Sequence, residues 1–373
     1  MAVEIKEVKT KRDLKSFVLF PFSLYKNNKY WIPPLIKEEL DLLDAEKNPD
    51  FEYCEARYWL AYKDNRLAGR IAGIYNKKFI ETWKKKYLSF SWFDFIDDKN
   101  VSKALFEQVE AWAKSKGMEG IHGPLGFTTW DPQAILIEGF DELPTPASVY
   151  NYPYYAEHLD ELGCQKEVDY LEFKVKVPKE IPEKAKRIAN IVQKREELTV
   201  IKCKTTKELL SYGKQLFDVI NTTYKPLFYY VELTEKQIDR FIKKYLSQLK
   251  TEFILFILDK NNKLIAFQII MPSLSKAFQK AKGRLYPFGF IHLLKAMNNP
   301  KVLDLIIVGI LPEYQNKGIN ALFLSDMTQI AIDKNILYAE TNSELEENMK
   351  IQNFWKYFDS RQHKRKRVYL KIF

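Results

Sequence analysis

Seven consecutive residues, Gln315-Asn316-Lys317-Gly318-Ile319-Asn320-Ala321, form a polar turn whose only glycine stands at the entrance of an apolar helical pattern. The first amides of a helix have no internal partner and the macrodipole there is positive, so this position suits an anion. Glycine also lets a ligand approach the backbone closely. The turn is therefore predicted to cradle a pyrophosphate. A second candidate is Glu340, directly after the apolar run Ile336-Leu337-Tyr338-Ala339. At the carboxyl end of a buried strand it would lie beside the anion site, as a general base for an amine. The same position equally suits a helix cap or a lysine partner, and both readings stay open. A strand, a turn and a helix with one glycine also occur in many α/β proteins that bind nothing there.

The turn is positioned by its flanks. Leu305-Ile306-Ile307-Val308 is apolar, β-branched and one buried strand long. Pro312 has no amide hydrogen and ends the ladder. Ile319, Leu322, Phe323 and Met327 then share one helix face. The run Gln315 to Asn320 resembles the Gln/Arg-x-x-Gly-x-Gly/Ala loop of the GNAT acyl-CoA transferases, and Glu340 to Tyr357 resembles that family's following strand and helix. The resemblance implies that Val308, Gly309 and Ile310 lie on a splayed strand that pairs with the pantetheine arm of coenzyme A. It implies that Gln315, Asn316, Lys317, Gly318, Ile319, Asn320 and Ala321 hold the pyrophosphate, and that Asn348 lies near the sulfur. Two positions depart from the pattern. Asn320 stands where a small residue is usual, and Trp355 stands where many members carry a tyrosine that protonates the leaving thiolate. Tyr357 replaces that acid only if the helix register shifts.

The chain has 373 residues, enough for two domains each with its own core. Hydrophobic residues make up 46% and charged residues 29%, the composition of an ordinary globular protein. Cys54, Cys164 and Cys203 are far apart and unpaired in spacing, which points to a reducing compartment and away from a zinc cluster, so no metal is expected. The first residues lack a signal-peptide pattern and no apolar run is long enough to span a bilayer. The expected location is the cytoplasm, with the inner membrane face as a docking surface. The net charge of +10 favours anionic partners, but no nucleic-acid signature accompanies it.

Taken in order, residues 1–178 read as strand, helices, a hairpin turning at Asp64-Asn65, an aromatic strand, an amphipathic helix from Val101 to Lys116 and a further strand. This order also resembles a GNAT domain. Its corresponding turn, however, carries Asp97 and Asp98, which suit a helix entrance as caps but repel a pyrophosphate. The first half thus reads as a GNAT-like domain without the coenzyme A loop. Gly123 to Glu142 is irregular and rich in Gly, Pro and aromatics, equally consistent with a binding segment and with an elaborate connection. Residues 179–198 read as a charged linker helix, and residues 199–373 repeat the architecture and carry the Gln315 loop. The expected fold is α/β (α+β): two tandem GNAT-like domains, each a mixed, mostly antiparallel sheet flanked by helices. Two basic segments remain. Ser273 to Asn298 is basic first and then aromatic and leucine-rich, which suits a membrane interface, a lid over an acyl channel, or core. Arg361 to Arg367, RQHKRKR, reads as a solvated basic edge strand.

Acyl transfer to an amine needs the thioester held, the amine deprotonated and the carbonyl oxygen stabilised. Backbone N–H groups around Gly309 and Ile310 are candidates for the last task. The resulting expectation is an N-acyltransferase that uses acetyl-CoA or a longer acyl-CoA, without metal. Glu340, Asn348 and Tyr357 are its candidate catalytic residues, and a small or lipid-like amine is its acceptor. A non-catalytic acyl-CoA sensor or interaction module is the alternative, favoured by Trp355. The sequence is silent on oligomeric state.

Overall fold

The computed structural model describes residues 3–373. The first half supplies β1 (Val3–Glu7), β2 (Cys54–Lys63), β3 (Arg66–Asn76), β4 (Tyr87–Phe95), β5 (Gly120–Gly123), β6 (Ile135–Glu138) and β7 (Gln165–Lys176). The second half supplies β8 (Thr199–Ile201), β9 (Ile254–Leu258), β10 (Leu264–Pro272), β11 (Val302–Ile310), β12 (Tyr338–Thr341), β13 (Glu344–Leu345) and β14 (Ser360–Ile372). The β2–β3 hairpin turns at Asp64 and Asn65, both at positive φ (52° and 60°), the twist that a two-residue hairpin requires. In the helix Lys99–Ser115, Val101, Leu105, Val109 and Trp112 recur at helical spacing and are buried against the first half's sheet.

All strands join one 14-stranded sheet in the order β1-β2-β3-β4-β5-β14-β7-β12-β11-β10-β9-β8, with β13 on β7 and β6 on β14. Only β4–β5 and β11–β12 are parallel; every other pairing is antiparallel. Helices flank the sheet, giving the expected mixed α/β architecture with the same strand sequence twice. The halves are not simply juxtaposed. The chain's last strand, β14, lies between β5 of the first half and β7, and β7 in turn pairs with β12 of the second half.

This placement corrects the reading of Arg361 to Arg367 as a solvated edge. β14 is central, and Lys364 and Lys366 are 0% and 1% exposed. Both ammonium groups meet Glu172 of β7, at 2.9 and 3.1 Å. On the opposite face Arg365 and Arg367 hold the fully buried Asp169, at 3.0 and 2.8 Å. Alternation puts the lysines and arginines on separate faces; the lysine face is closed and the arginine face partly covered, and a carboxylate on the neighbouring strand makes burial of the charge tolerable.

Candidate active site

The two parallel pairings are short. β11 and β12 run together only from Val302–Leu305 against Tyr338–Thr341, and then diverge. A bulge opposite Ile269 and Ile270 shifts the register of β11 at this point and re-aims its backbone. Beyond it, three alternate carbonyls take side-chain donors in place of strand donors. Asn342 Nδ2 donates to Ile306 (3.3 Å), the Tyr224 hydroxyl to Val308 (3.1 Å) and Gln315 Nε2 to Ile310 (3.0 Å). A residue's N–H and C=O point to the same side of a strand, so the amides of Val308 and Ile310 also face the opened edge. Gly309 faces β10, opposite Phe267. Val308 is 39% exposed. The opened edge is a backbone surface able to pair with an extended amide-bearing chain and to donate to a carbonyl oxygen.

The turn after β11 leads into the helix Asn320–Asp333. Gly318 has φ +91°, a region that L side chains rarely adopt, and a Cβ there would come within 2.9 Å of Val192 Cγ2. Val192 belongs to the helix Glu183–Arg195, which braces the turn from outside: Arg195 Nη2 donates to the Lys317 carbonyl (2.9 Å), and Lys317 Nζ meets Glu196 (2.9 Å). The segment read as a linker is thus also the support of the loop. Among the described residues, the amides of Lys317, Gly318, Ile319 and Asn320 have no protein acceptor. Open amides at a helix entrance beside Arg195 and Lys317 fit a diphosphate. In the first half the equivalent entrance, that of Lys99–Ser115, is closed by its own carboxylates. Asp98 accepts from the Asn100 amide (2.9 Å) and pairs with Lys63, and Asp97 pairs with His158 (3.0 Å).

A cavity of about 830 Å³ lies between the halves, in the upper part of the ~300–1,000 Å³ span of small-molecule sites. Ile306 and Ile307 of β11 line it, as do Trp130 and Asp131 from the irregular Gly123–Glu142 segment. Trp130 stacks on Tyr224 (centroids 6.4 Å apart), the residue that holds the Val308 carbonyl, and packs on Phe241 (5.6 Å). The roof is the Ser273–Asn298 segment, folded as the helices Ser275–Ala281 and Gly289–Asn298. Phe278, Leu285, Leu293 and Met297 face the cavity, and Ser275 Oγ ties the roof to the Pro144 carbonyl (2.8 Å). Its outer side leaves Tyr286 and Phe288 79% and 70% exposed.

Glu340 is placed otherwise than expected. It is buried on β12, does not line the cavity, and lies 3.5 Å from Lys364 Nζ, within the Glu172–Lys364–Lys366 group. Burial raises its pKa, and Lys364 opposes the rise. Asp304, its partner on β11, is 1% exposed and neither carboxylate oxygen has a hydrogen-bond partner among the described residues. Burial pushes Asp304 up to about 8, so it is protonated at neutral pH. Glu172 is held well below the usual carboxylate range. Its burial alone would raise it, but Lys364 and Lys366 override that. Asn348 is half-buried and its carbonyl caps the helix Met349–Trp355 by accepting from the Ile351 and Gln352 amides. Trp355 is buried and donates to Glu344 (2.8 Å). Tyr357 is 79% exposed, outside the site. Asp131, Trp130 and Tyr224 are the site residues that the sequence reading missed. Among the described residues, no group of three or more His, Cys, Asp or Glu side chains is arranged to hold a metal, and no helix is long and apolar enough to cross a membrane.

The strand order, the opened parallel pair and the loop define the tandem GNAT fold. A tandem GNAT protein from the clavulanic acid biosynthesis pathway superposes over 99% of this chain and 98% of its own, with a TM-score of 0.57 at 8% identity. A GCN5-related N-acetyltransferase from Sphaerobacter thermophilus does so over 99% and 95%, with a TM-score of 0.52 at 9% identity. Among curated proteins, this chain is similar to protein YghO of Escherichia coli (strain K12), with 29% identity over 368 residues, 97% of this chain and 93% of that one. It is also similar to the bacterial ceramide synthase of Caulobacter vibrioides (strain NA1000 / CB15N), with 25% identity over 288 residues, 77% and 74% of the two chains. No family model matches the sequence.

Proposed function

We propose that this protein is an N-acyltransferase that moves an acyl group from a coenzyme A thioester to a primary amine carried on a long apolar body. The observation that carries the reading is the cavity itself: it is largely apolar and is lined both by Ile306 and Ile307 of β11 and by residues of the first half. The name of the Caulobacter relative, a bacterial ceramide synthase, supports an amide-forming reaction on a lipid amine. In this reading the second half, residues 199–373, holds the co-substrate. The first half, residues 1–178, supplies the far wall, and residues 179–198 brace the loop. The co-substrate supplies an activated acyl carbon. The amides of Lys317 to Asn320 bind its diphosphate, and those of Val308 and Ile310 orient the thioester arm and stabilise charge on the carbonyl oxygen. The apolar walls exclude water, so hydrolysis is suppressed and amines compete.

The test pairs the purified protein with acetyl-CoA and longer acyl-CoAs and a panel of short and long primary amines, measuring thiol release and amide mass. Amide formed preferentially on long-chain amines is the expected result. No amide with any pair rejects the reading. A second reading, a non-catalytic acyl-CoA sensor, is favoured by one observation: Trp355 is buried against Glu344 and Tyr357 points to solvent, so neither supplies an acid for a thiolate. Tight acyl-CoA binding without thiol release would select it.

A further inference from the structure

We propose that Asp131, from the first half, is the catalytic base of the second half's reaction: it binds the acceptor's ammonium group and takes its proton. The inference rests on the acyltransferase reading and names the residue and the acceptor chemistry within it. Asp131 lines the same cavity as Ile306 and Ile307, and its chain neighbour Trp130 stacks on Tyr224, whose hydroxyl donates to the Val308 carbonyl. It therefore opens on the cavity that β11 also lines, whereas Glu340 does not line the cavity and lies 3.5 Å from Lys364 Nζ.

The carboxylate is built into place. Thr128 donates its amide to Asp131 Oδ2 (2.9 Å). Gly126 makes room for it, since a Cβ at that position would lie 2.3 Å from Asp131 Cβ and 2.8 Å from Oδ2. Oδ1 has no protein partner among the described residues. Among the described residues no cation pairs with this carboxylate, although the cavity also contains Arg70, Arg240 and Lys244. Arg70 is taken by Asp94 (2.7 Å), Arg240 by Asn48 (2.8 Å) and Lys244 by Glu38. The other acids facing it are held by neutral donors: Asp50 by Gln237 (2.5 Å) and Glu39 by Trp92 (2.9 Å). Tyr53 and Cys54 complete its titratable surroundings, both shifted upward by burial. Burial, then the charges of Asp50 and Glu39, push Asp131 up to about 7, near the pKa best suited to a base at neutral pH.

An incoming ammonium compensates this uncompensated carboxylate, which selects a cationic primary amine over a neutral alcohol. The ammonium gives one proton to Asp131. The nitrogen lone pair forms the N–C bond at the thioester carbonyl carbon, and the C–S bond breaks with its electron pair on sulfur. Nitrogen loses its second proton to that sulfur, leaving an amide and a thiol, and Asp131 returns its proton to water.

The test uses the full chain with Asp131→Asn, which keeps the Thr128 contact, and Asp131→Glu. With dodecylamine as acceptor, Asp131→Asn should lower transfer at neutral pH by on the order of 10²–10⁴ while coenzyme A binding is unchanged. The wild-type rise in kcat/KM through about pH 7 should disappear, and Asp131→Glu should restore part of it. A near wild-type rate and pH profile in Asp131→Asn overturns the proposal. If the wild type itself transfers nothing, the acyltransferase reading has failed separately, and calorimetry with dodecylamine decides the ammonium site. Binding weakened at least tenfold in Asp131→Asn supports the site, and equal binding by the two proteins removes it.

Discussion

Lys364 and Glu172 meet at 2.9 Å on neighbouring strands with neither side chain exposed, and β14, the strand that carries Lys364, is the last of the chain. The pair therefore pins the end of the second half into the sheet of the first. Removing one partner leaves the other charge buried, so Lys364→Met should destabilise the fold by about 3–5 kcal/mol. Thermal unfolding of the whole chain measures it, and a change within ordinary surface values would show that Lys366 alone suffices.

The same group sets the pH dependence of stability. Glu172 has its folded pKa depressed, so its contribution is complete above the ordinary carboxylate range and is lost as pH falls through its folded value. Asp304 has the opposite sign. Its folded pKa is raised to about 8, so ionisation in the unfolded chain makes the wild type less stable as pH rises from the ordinary carboxylate range to about 8. Asp304→Asn should flatten that decline, and Lys364→Met should flatten the loss in acid, because Glu172 then loses a cation that depresses its pKa. Denaturant midpoints across pH check both, and an unchanged decline in Asp304→Asn would place its source elsewhere.

Glu340→Gln should change the transfer rate by less than tenfold, since Glu340 faces Lys364 rather than the cavity. A base in contact with the amine would instead be worth on the order of 10²–10⁴. A loss of that size would return the role to Glu340 and disfavour Asp131.

Gly318→Glu should abolish coenzyme A binding. The change puts a carboxylate where a diphosphate would sit, forces a side chain onto φ +91° and drives it against Val192. The strain alone costs ~1–2 kcal/mol, so circular dichroism should still report a folded chain. Unchanged affinity by calorimetry would move the co-substrate site away from this loop.

The parts legible in the sequence are those set by local chemistry. Asp64-Asn65 dictates its turn, Asp98 caps its helix, and Leu305 to Met327 encodes strand, turn and helix by period and by Pro312 and Gly318. What was hidden depends on partners distant in sequence. Alternation in Arg361 to Arg367 separates two faces but says nothing about which strands lie alongside. The burial of Lys364 follows from its carboxylate partners, above all Glu172, nearly two hundred residues away. Asp131 stands in a segment without periodicity, and its environment comes from residues distant in sequence such as Glu39 and Asp50. The available signal was Thr128-x-x-Asp131, the spacing at which a side chain folds back onto a backbone amide.

The roof of the cavity leads to the last prediction. Its inner face lines the site, while Tyr286, Phe288, Phe290, Ile291 and Leu294 are exposed on the outside. Lys276, Lys280, Lys282 and Arg284 belong to the same segment, all exposed and, among the described residues, without a carboxylate within 4.0 Å. Aromatic and leucine surface on a segment that also carries unpaired cations complements an anionic lipid interface, and a lipid amine then reaches the cavity without crossing water. Each such cation adds ~1 kcal/mol near an anionic surface, so the four support weak, salt-sensitive docking. The protein should sediment with phosphatidylglycerol vesicles at low salt, much less at high salt, and not with phosphatidylcholine vesicles. Changing all four cations to glutamine should remove binding and raise KM for vesicle-borne amine while leaving kcat for soluble amine unchanged. Absence of sedimentation under every condition would leave this segment as a lid alone, with the acceptor arriving from solution.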